Sequence, residues 1–243
     1  MTRCRPGVSV VTVLALAIVL IGLIGLTGPV AFTAGQQLPP AFPREGAKKI
    51  LENDRVIVWD MQLRKGQRAA MHTHPYDIVS VTLTPGGHQD NGSDGVSEDR
   101  MFKMGDVRFT PKGRTHFEVG LTDPPRRAIV TELKPVAPGG TPAPSRYPPG
   151  YPREGARKLL ENERVILWDV TLENKHRTEM HSHPYDFMSV TLTPGAIRDV
   201  GSDGVIEERQ FDVGQVRFQS KGRIHADEGA SVVPRRSIVI EFK

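Results

Sequence analysis

The stretch HTHPYDIVSVTL, residues 72–83, recurs 109 positions later as HSHPYDFMSVTL, residues 181–192. The same offset holds without a gap when residues 39–134 are aligned with residues 148–243, and 56 of the 96 aligned positions are identical. Self-similarity over this length indicates a duplicated folding unit. We therefore predict two copies of one domain, and not one large domain.

The repeat also sets the predicted domain boundaries, at residues 38–134 and residues 152–243. Between them lies PVAPGGTPAPSRYPPGY, residues 135–151, with six prolines and three glycines. This composition is typical of an extended connector without a helix or strand of its own. Residues 1–37 precede the first copy and form a third predicted segment.

That N-terminal segment contains an apolar stretch from Val8 to Leu26 and no charge between Arg5 and Arg44. Nineteen helical residues would rise about 28 Å, close to the thickness of a bilayer core. We predict a signal peptide or an N-terminal membrane anchor. Positive charges before an apolar segment stay in the cytoplasm, so the arginines before the stretch predict that the rest of the chain lies outside it. The chain would then be anchored in the membrane and face outward, or it would be secreted or periplasmic after cleavage.

The composition excludes several classes of protein. Charged residues make up 25% and hydrophobic residues 38%, which excludes a wholly disordered chain and a polytopic membrane protein. The net charge is only +4 and no Lys/Arg run exceeds two residues, so nucleic acid is not an expected partner. The single cysteine excludes an intrachain disulfide and a multi-cysteine zinc site.

Within each copy the local signals are those of strands. Residues 56–63, VIVWDMQL, and residues 128–133, AIVTEL, are rich in β-branched residues, and turn-forming stretches such as Gly92-Ser-Asp-Gly95 separate such runs. Short strands with turns between them predict an all-β fold, a sandwich or a small barrel in each copy.

Six of the eight histidines pair across the copies at the repeat offset. His72 and His74 lie two residues apart and project from one face of an extended chain. His116 follows 42 residues later, where a neighbouring strand can bring it beside them. Three neutral imidazoles on one ion leave coordination positions open for water or substrate, as a catalytic metal site requires.

Glycines and a proline accompany these histidines at fixed spacings, Gly66-x5-His72-x-His74 and Gly105-x5-Pro111-x-Gly113-x2-His116. These patterns resemble the two motifs of the cupins, and the resemblance covers both copies. It implies a bicupin, with two small jelly-roll β-barrels that each hold a site in the barrel mouth. It also implies a divalent ion such as iron, manganese or zinc, bound by three histidines per copy: His72, His74 and His116, then His181, His183 and His225.

The chain departs from the cupin pattern at the fourth ligand. A Glu follows the second motif histidine in cupins, but Ile78 or Val79 stands there in the first copy, and Phe187 or Met188 in the second. We expect Val79 to lie on the inward face of its strand, beside the ion. The first copy is the expected better metal site, because the second has Lys175 and Ser220 in place of the motif glycine and proline.

Three interpretations of the histidine set remain open. The three histidines can bind a divalent metal alone, as in three-His cupins such as the cysteine dioxygenases. Asp77 and Asp186, in the shared HPYD sequence, can supply a carboxylate ligand from a position slightly earlier in the chain. The site can also be free of metal, with the histidines as remnants of the fold or as contacts to an organic ligand.

The favoured function is action on a small organic molecule, with dioxygenase-type oxidation as the natural chemistry of a three-His iron site. The alternative from another class is a non-catalytic module that binds or senses a small ligand. A sugar isomerase or epimerase is a third possibility without a specific residue to support it. The weak catalytic candidates are Tyr76 and Tyr185. The two domains are also expected to be able to pair with each other.

Arginines provide two further expectations. Arg108 and Arg217 alternate with apolar residues along their strands. If those apolar neighbours fill the barrel, the arginines are solvated, and if the arginines face inward, they can bind an acidic substrate. The pairs at residues 126–127 and 235–236 are expected to lie in solvated turns.

Overall fold

In the computed structural model, the residues described are residue 1, residues 38–135 and residues 143–243. Every regular element in these parts of the chain is a β-strand, which confirms the all-β prediction. None of their segments is a helix long and apolar enough to span a bilayer. The apolar stretch predicted to be a signal peptide or anchor lies outside the described residues, as does much of the predicted linker.

Nine strands come from each sequence copy and are all paired antiparallel. Those of the first copy are β1 (Ala47–Glu52), β2 (Val56–Leu63), β3 (His72–Thr73), β4 (Asp77–Thr84), β5 (Gly86–Gly92), β6 (Ser97–Phe102), β7 (Val107–Thr110), β8 (Thr115–Gly120) and β9 (Arg126–Leu133). Those of the second are β10 (Ala156–Glu161), β11 (Val165–Leu172), β12 (His181–Ser182), β13 (Asp186–Thr191), β14 (Gly195–Gly201), β15 (Ile206–Phe211), β16 (Val216–Gln219), β17 (Ile224–Gly229) and β18 (Arg235–Phe242).

Each copy forms one five-stranded and one four-stranded sheet. In the first copy the orders are β1-β2-β9-β4-β7 and β3-β8-β5-β6, and the second copy repeats both as β10-β11-β18-β13-β16 and β12-β17-β14-β15. Neighbours that are distant in sequence, such as β2 and β9, are typical of jelly-roll connections and not of a meander. The two sheets of each copy form a jelly-roll-like barrel, as the sequence predicts.

The largest apolar cluster of the described residues lies between the two barrels. Side chains of the first five-stranded sheet pack there against those of the second, and the fully buried members include Val79, Val81, Leu167, Met188 and Ile240. Both barrels accordingly belong to one compact unit, Leu38–Lys243. Burial of this shared apolar face is the main force that holds the barrels together.

Reciprocal ion pairs border this shared core. Arg164 of the second barrel lies 3.1 Å from Asp77 of the first, and Arg55 of the first lies 3.3 Å from Asp186 of the second. The four residues are related by the repeat offset, so the two barrels contact each other through equivalent surfaces. The expectation that the domains can pair agrees with this arrangement.

A short segment before each barrel packs against the barrel wall. Phe42 stacks on Trp59 with ring centroids 5.0 Å apart, and Tyr151 stacks on Trp168 at 5.3 Å. Pro149 pairs with Ser182 as an isolated bridge. The last residues of the predicted linker therefore contact the second barrel and close one side of its interior.

Candidate metal centre

Strand pairing brings the first three histidines together. His72 in β3 lies directly opposite His116 in β8, and His74 follows two residues after His72 on the same face. One ring nitrogen from each of the three lies within 4.8 Å of the others. In the second barrel, β12 and β17 place His181 opposite His225 in the same way.

Hydrogen bonds orient the rings of the first group. Nδ1 of His72 donates to the carbonyl of Ala70 at 2.8 Å, and Nδ1 of His116 lies 2.7 Å from Oδ1 of Asp90. Both bonds leave Nε2 as the free acceptor nitrogen, a common arrangement for imidazoles that ligate a metal.

The Nε2 atoms of the three histidines have few partners outside their own group in the described protein. Nε2 of His74 and Nε2 of His116 lie 2.9 Å apart, and Nε2 of His72 is buried without a hydrogen-bond partner there. In either tautomer of His74, buried ring nitrogens of this group stay unsatisfied, which is unfavourable, and a cation among the three rings can accept their lone pairs. The donor set therefore fits a divalent metal ion.

Burial favours the neutral form of two histidines in each group. It lowers the pKa of His74 to about 3 and that of His181 to about 4, and it shifts the pKa of His72 and His183 in the same direction. A neutral imidazole has its lone pair available without first losing a proton. These four histidines can therefore bind a metal at neutral pH without first releasing a proton.

Asp90 connects the group to nearby arginines. Burial opposes ionisation of its carboxyl, but hydrogen bonds from His116 and Arg114 outweigh burial and hold the pKa below its usual range. Arg114 lies 2.8 Å away and Arg100 3.1 Å away. The carboxylate stays charged and fixes the orientation of the His116 ring.

No protein-family model matches the sequence, and no curated protein does. Solved structures do match the fold. A cupin 2 conserved barrel domain protein from Leptotrichia buccalis matches at 12% identity with a TM-score of 0.53, covering 81% of this chain and 88% of that one. AerE from Microcystis aeruginosa matches at 12% identity and a TM-score of 0.59, with coverages of 81% and 97%. Oxalate decarboxylase from Bacillus subtilis, studied for its Mn(II) centres, matches at 13% identity and a TM-score of 0.55, with coverages of 77% and 69%.

The chain has a bicupin fold. The two jelly-roll units and their paired three-histidine groups agree with the resemblance derived from the sequence. At these identities the similarity shows the fold alone, and the chemistry of each barrel depends on its own residues.

The residue that we expected at the place of the usual cupin Glu does not lie beside the histidines. Val79 is fully buried in the core between the barrels, so its predicted position beside the metal is wrong. Ile78, its neighbour on β4, lines the cavity that holds His74 and His116. In the second cupin barrel, Phe187 occupies the equivalent place and stacks on His183 at 3.8 Å.

The carboxylates and tyrosines named as weaker ligand and catalytic candidates do not lie beside the histidines in the folded chain. Asp77 accepts a hydrogen bond from the backbone of Lys112 and pairs with Arg164, and Asp186 is engaged equivalently. Neither carboxylate belongs to the histidine groups among the described residues. Tyr76 and Tyr185 are half-buried and line neither cavity.

Several residues that line the two cavities were not predicted from the sequence as site residues. Glu118 lies two positions after His116 on β8, so the strand periodicity that grouped the histidines would have found it. Its carboxylate lies 2.6 Å from Arg44 and 3.9 Å from Nε2 of His72. His88 lines the same cavity, and Tyr151 lines that of the second barrel, where the first has Phe42.

One expectation for the arginines is wrong, and for the other the structure agrees with the inward-facing alternative. Arg126 is only 4% exposed and lines the first cavity, and its neighbour Arg127 pairs with Asp60 at 2.7 Å. Both belong to β9, so the predicted solvated turn is wrong for this pair and for its repeat in β18. Arg108 and Arg217 each line a cavity, because their apolar neighbours pack into the core between the barrels.

The second site differs from the first in its charged neighbours. Arg153 lies 3.4 Å from Nε2 of His181 and 3.3 Å from Asp227, which replaces the longer Glu118. A cation beside a ligand nitrogen opposes metal binding there. Lys175 is exposed, so its own charge lies in solvent and not at the site.

Proposed function

We propose that this bicupin binds a divalent metal ion through His72, His74 and His116 and acts on a small organic molecule. The observation that carries the proposal is the convergence of three buried imidazoles within 4.8 Å, with Nε2 of His72 unpartnered in the described chain and the other two Nε2 atoms in contact only with each other. The proposed ions are iron, manganese and zinc. The Mn(II) centres of the structurally similar oxalate decarboxylase support including manganese in the test.

Dioxygenase-type oxidation is the chemistry we propose for an iron-loaded site. Three neutral ligands leave the ion its full charge and open positions, so it can bind both oxygen and substrate. The chain contributes the oriented ligands, with Asp90 holding His116, and an apolar wall at Ile78 that limits water. Only about 40 Å³ is open in this cavity, so the substrate, or the part of it that enters, is small.

A non-catalytic role in binding or sensing a small ligand is the second candidate. One observation favours it: both carboxylates that line the first cavity, Asp90 and Glu118, are ion-paired to arginines. A paired carboxylate is held at low pKa and is a weak general base. Turnover of candidate substrates by the iron-loaded protein separates the two functions.

We rank the first site above the second. The support is that Arg153 contacts Nε2 of His181 at 3.4 Å while it pairs with Asp227 at 3.3 Å, whereas the corresponding Arg44 has a closer ion pair, 2.6 Å from Glu118. The second group of His181, His183 and His225 remains a proposed metal site of lower affinity.

We also propose that the chain is exported or tethered to a membrane. The charge-free apolar stretch from Val8 to Leu26 supports this. Fractionation of expressing cells tests it, with a membrane-bound or shortened exported product expected. A full-length product entirely in the cytosol would contradict it.

Metal content tests the main proposal. Full-length protein purified without a histidine tag should retain metal or take up about one tight equivalent of Mn²⁺, Fe²⁺ or Zn²⁺ in titration. His116→Ala should abolish tight binding, and His225→Ala, its counterpart in the second barrel, should leave it in place. Equal binding by the parent and His116→Ala would refute the site.

A further inference from the structure

A buried arginine without an acidic partner stands on the wall of the first cavity. Arg126 donates from Nε and Nη2 to the hydroxyl of Thr82, at 3.2 and 2.8 Å, and its guanidinium lies 4.0 Å from the Phe102 ring centroid. Of the residues that the structure describes, none places a carboxylate oxygen within 4.0 Å of it. Burial lowers its pKa to about 10, so it remains charged at neutral pH.

The repeat shows the same feature in the second barrel. Arg235 is 8% exposed, contacts the hydroxyls of Thr191 and Ser237, and lies over Phe211 at 4.2 Å. Its Nε is buried without a hydrogen-bond partner in the described chain. A neutral hydroxyl and an aromatic face orient each guanidinium but do not neutralise it.

Charge counting shows that the first cavity is cationic. Four arginines line it, Arg44, Arg108, Arg114 and Arg126, against two carboxylates, Asp90 and Glu118. Both carboxylates are already occupied, Glu118 by Arg44 at 2.6 Å and Asp90 by His116 and Arg114. Arg108 reaches Asp90 only at 4.0 Å. Two guanidiniums therefore remain without a close anion.

We propose that the first cavity binds a small carboxylate through Arg126, with Arg108 beside it, next to the histidine group. This inference deepens the proposed function by naming its ligand class. A buried charge without a counterion is costly, and a planar guanidinium matches a carboxylate through two parallel hydrogen bonds. The limited free volume restricts the carboxylate to a few heavy atoms within the cavity.

The proposal also predicts coupling between anion and metal. A divalent ion added to a cavity with an excess of cations is repelled by them, and a bound carboxylate removes part of that repulsion. Carboxylate and metal should therefore each tighten the binding of the other by the same factor.

Titration calorimetry with acetate and its neutral isostere acetamide tests the ligand class. Full-length protein should bind acetate at least about tenfold more tightly than acetamide, with and without Mn²⁺. Arg126→Gln should reduce acetate affinity at least about tenfold. Arg127→Gln is the matched control, because the neighbouring side chain pairs with Asp60 outside the cavity, and it should change acetate affinity little.

The outcomes separate this inference from the proposed function. Metal binding with no preference for acetate over acetamide, or with acetate affinity unchanged in Arg126→Gln, would overturn the inference alone. Acetate binding that depends on Arg126 in a protein that takes up no metal would support the inference and refute the metal site. If Arg126→Gln fails to fold, Arg108→Gln, at a half-buried position, must weaken acetate binding or the proposal fails.

Discussion

Placing a carboxylate at residue 78 or at residue 79 should have opposite consequences, although the two positions are adjacent on β4. Ile78 lines the cavity with the histidines, and Val79 is fully buried between the barrels. Ile78→Glu supplies an anionic oxygen beside three neutral nitrogens, which hard divalent ions prefer. We expect Mn²⁺ affinity to rise at least about tenfold, or about 1.4 kcal/mol.

The two variants also differ in stability. Val79→Glu forfeits about 1.5–3 kcal/mol of apolar burial and leaves an unpaired charge in an apolar core, which costs about 3–5 kcal/mol more. The sum approaches the whole stability of an ordinary domain, about 5–15 kcal/mol. Ile78→Glu loses a similar burial contribution, but its carboxylate faces the guanidiniums of Arg108 and Arg126. Metal at a hundredfold excess over Kd should restore about 2.7 kcal/mol to this variant.

Manganese titration followed by electron paramagnetic resonance, together with melting curves with and without metal, measures both effects. Val79→Thr is the control for loss of an apolar side chain without added charge. Tighter Mn²⁺ binding by Val79→Glu than by Ile78→Glu would show that the two faces of β4 are assigned the wrong way round. No gain in either variant would mean that neither position of β4 lies beside a bound ion.

Four further results are expected. Asp90→Asn should weaken metal binding about 10–100-fold in titration, because the carboxylate fixes the ring of His116. Asp77→Asn should leave metal affinity unchanged. It should lower the free energy of unfolding by at most about 1 kcal/mol in denaturant unfolding, since the substitution removes only a partly exposed ion pair. Loss of metal binding in this variant would show that Asp77 is a metal ligand. Stability should fall as the pH drops from about 6.5 towards 4, by up to about 1.4 kcal/mol per pH unit for each histidine whose pKa is lowered in the folded chain. The reason is that the unfolded chain binds protons that the folded chain, with the pKa of His74 at about 3, does not. A melting temperature that does not change with pH would contradict this. Lys175→Gly should raise the free energy of unfolding by about 0.5–1 kcal/mol in denaturant unfolding. Lys175 has a φ of 60°, a left-handed backbone conformation that is strained for a residue with a side chain and relaxed for glycine. A lower free energy of unfolding in this variant would contradict the inferred backbone strain.

Much of the site could be predicted because its signals are local or repeated. Residues two apart on a strand share a face, which groups His72 with His74, and the repeat offset identifies their counterparts. Glu118 was within reach of the same rule, since it follows His116 by two residues. Turn residues and β-branched runs likewise indicated the all-β fold before any pairing was known.

The tertiary structure alone decided what covers each face of a strand. On β4 both faces are buried, one by the cavity and the other by the second barrel, so Ile78 and Val79 are both apolar and the sequence does not distinguish them. From the sequence Arg126 looks like a surface residue beside Arg127, yet it lies inside the barrel, because the side chains of its strand alternate between the cavity and the face that packs against the second barrel. The hydrophobic pattern of a sequence indicates which side chains are removed from water. It does not indicate which residues surround each side chain, because that depends on contacts between residues far apart in sequence.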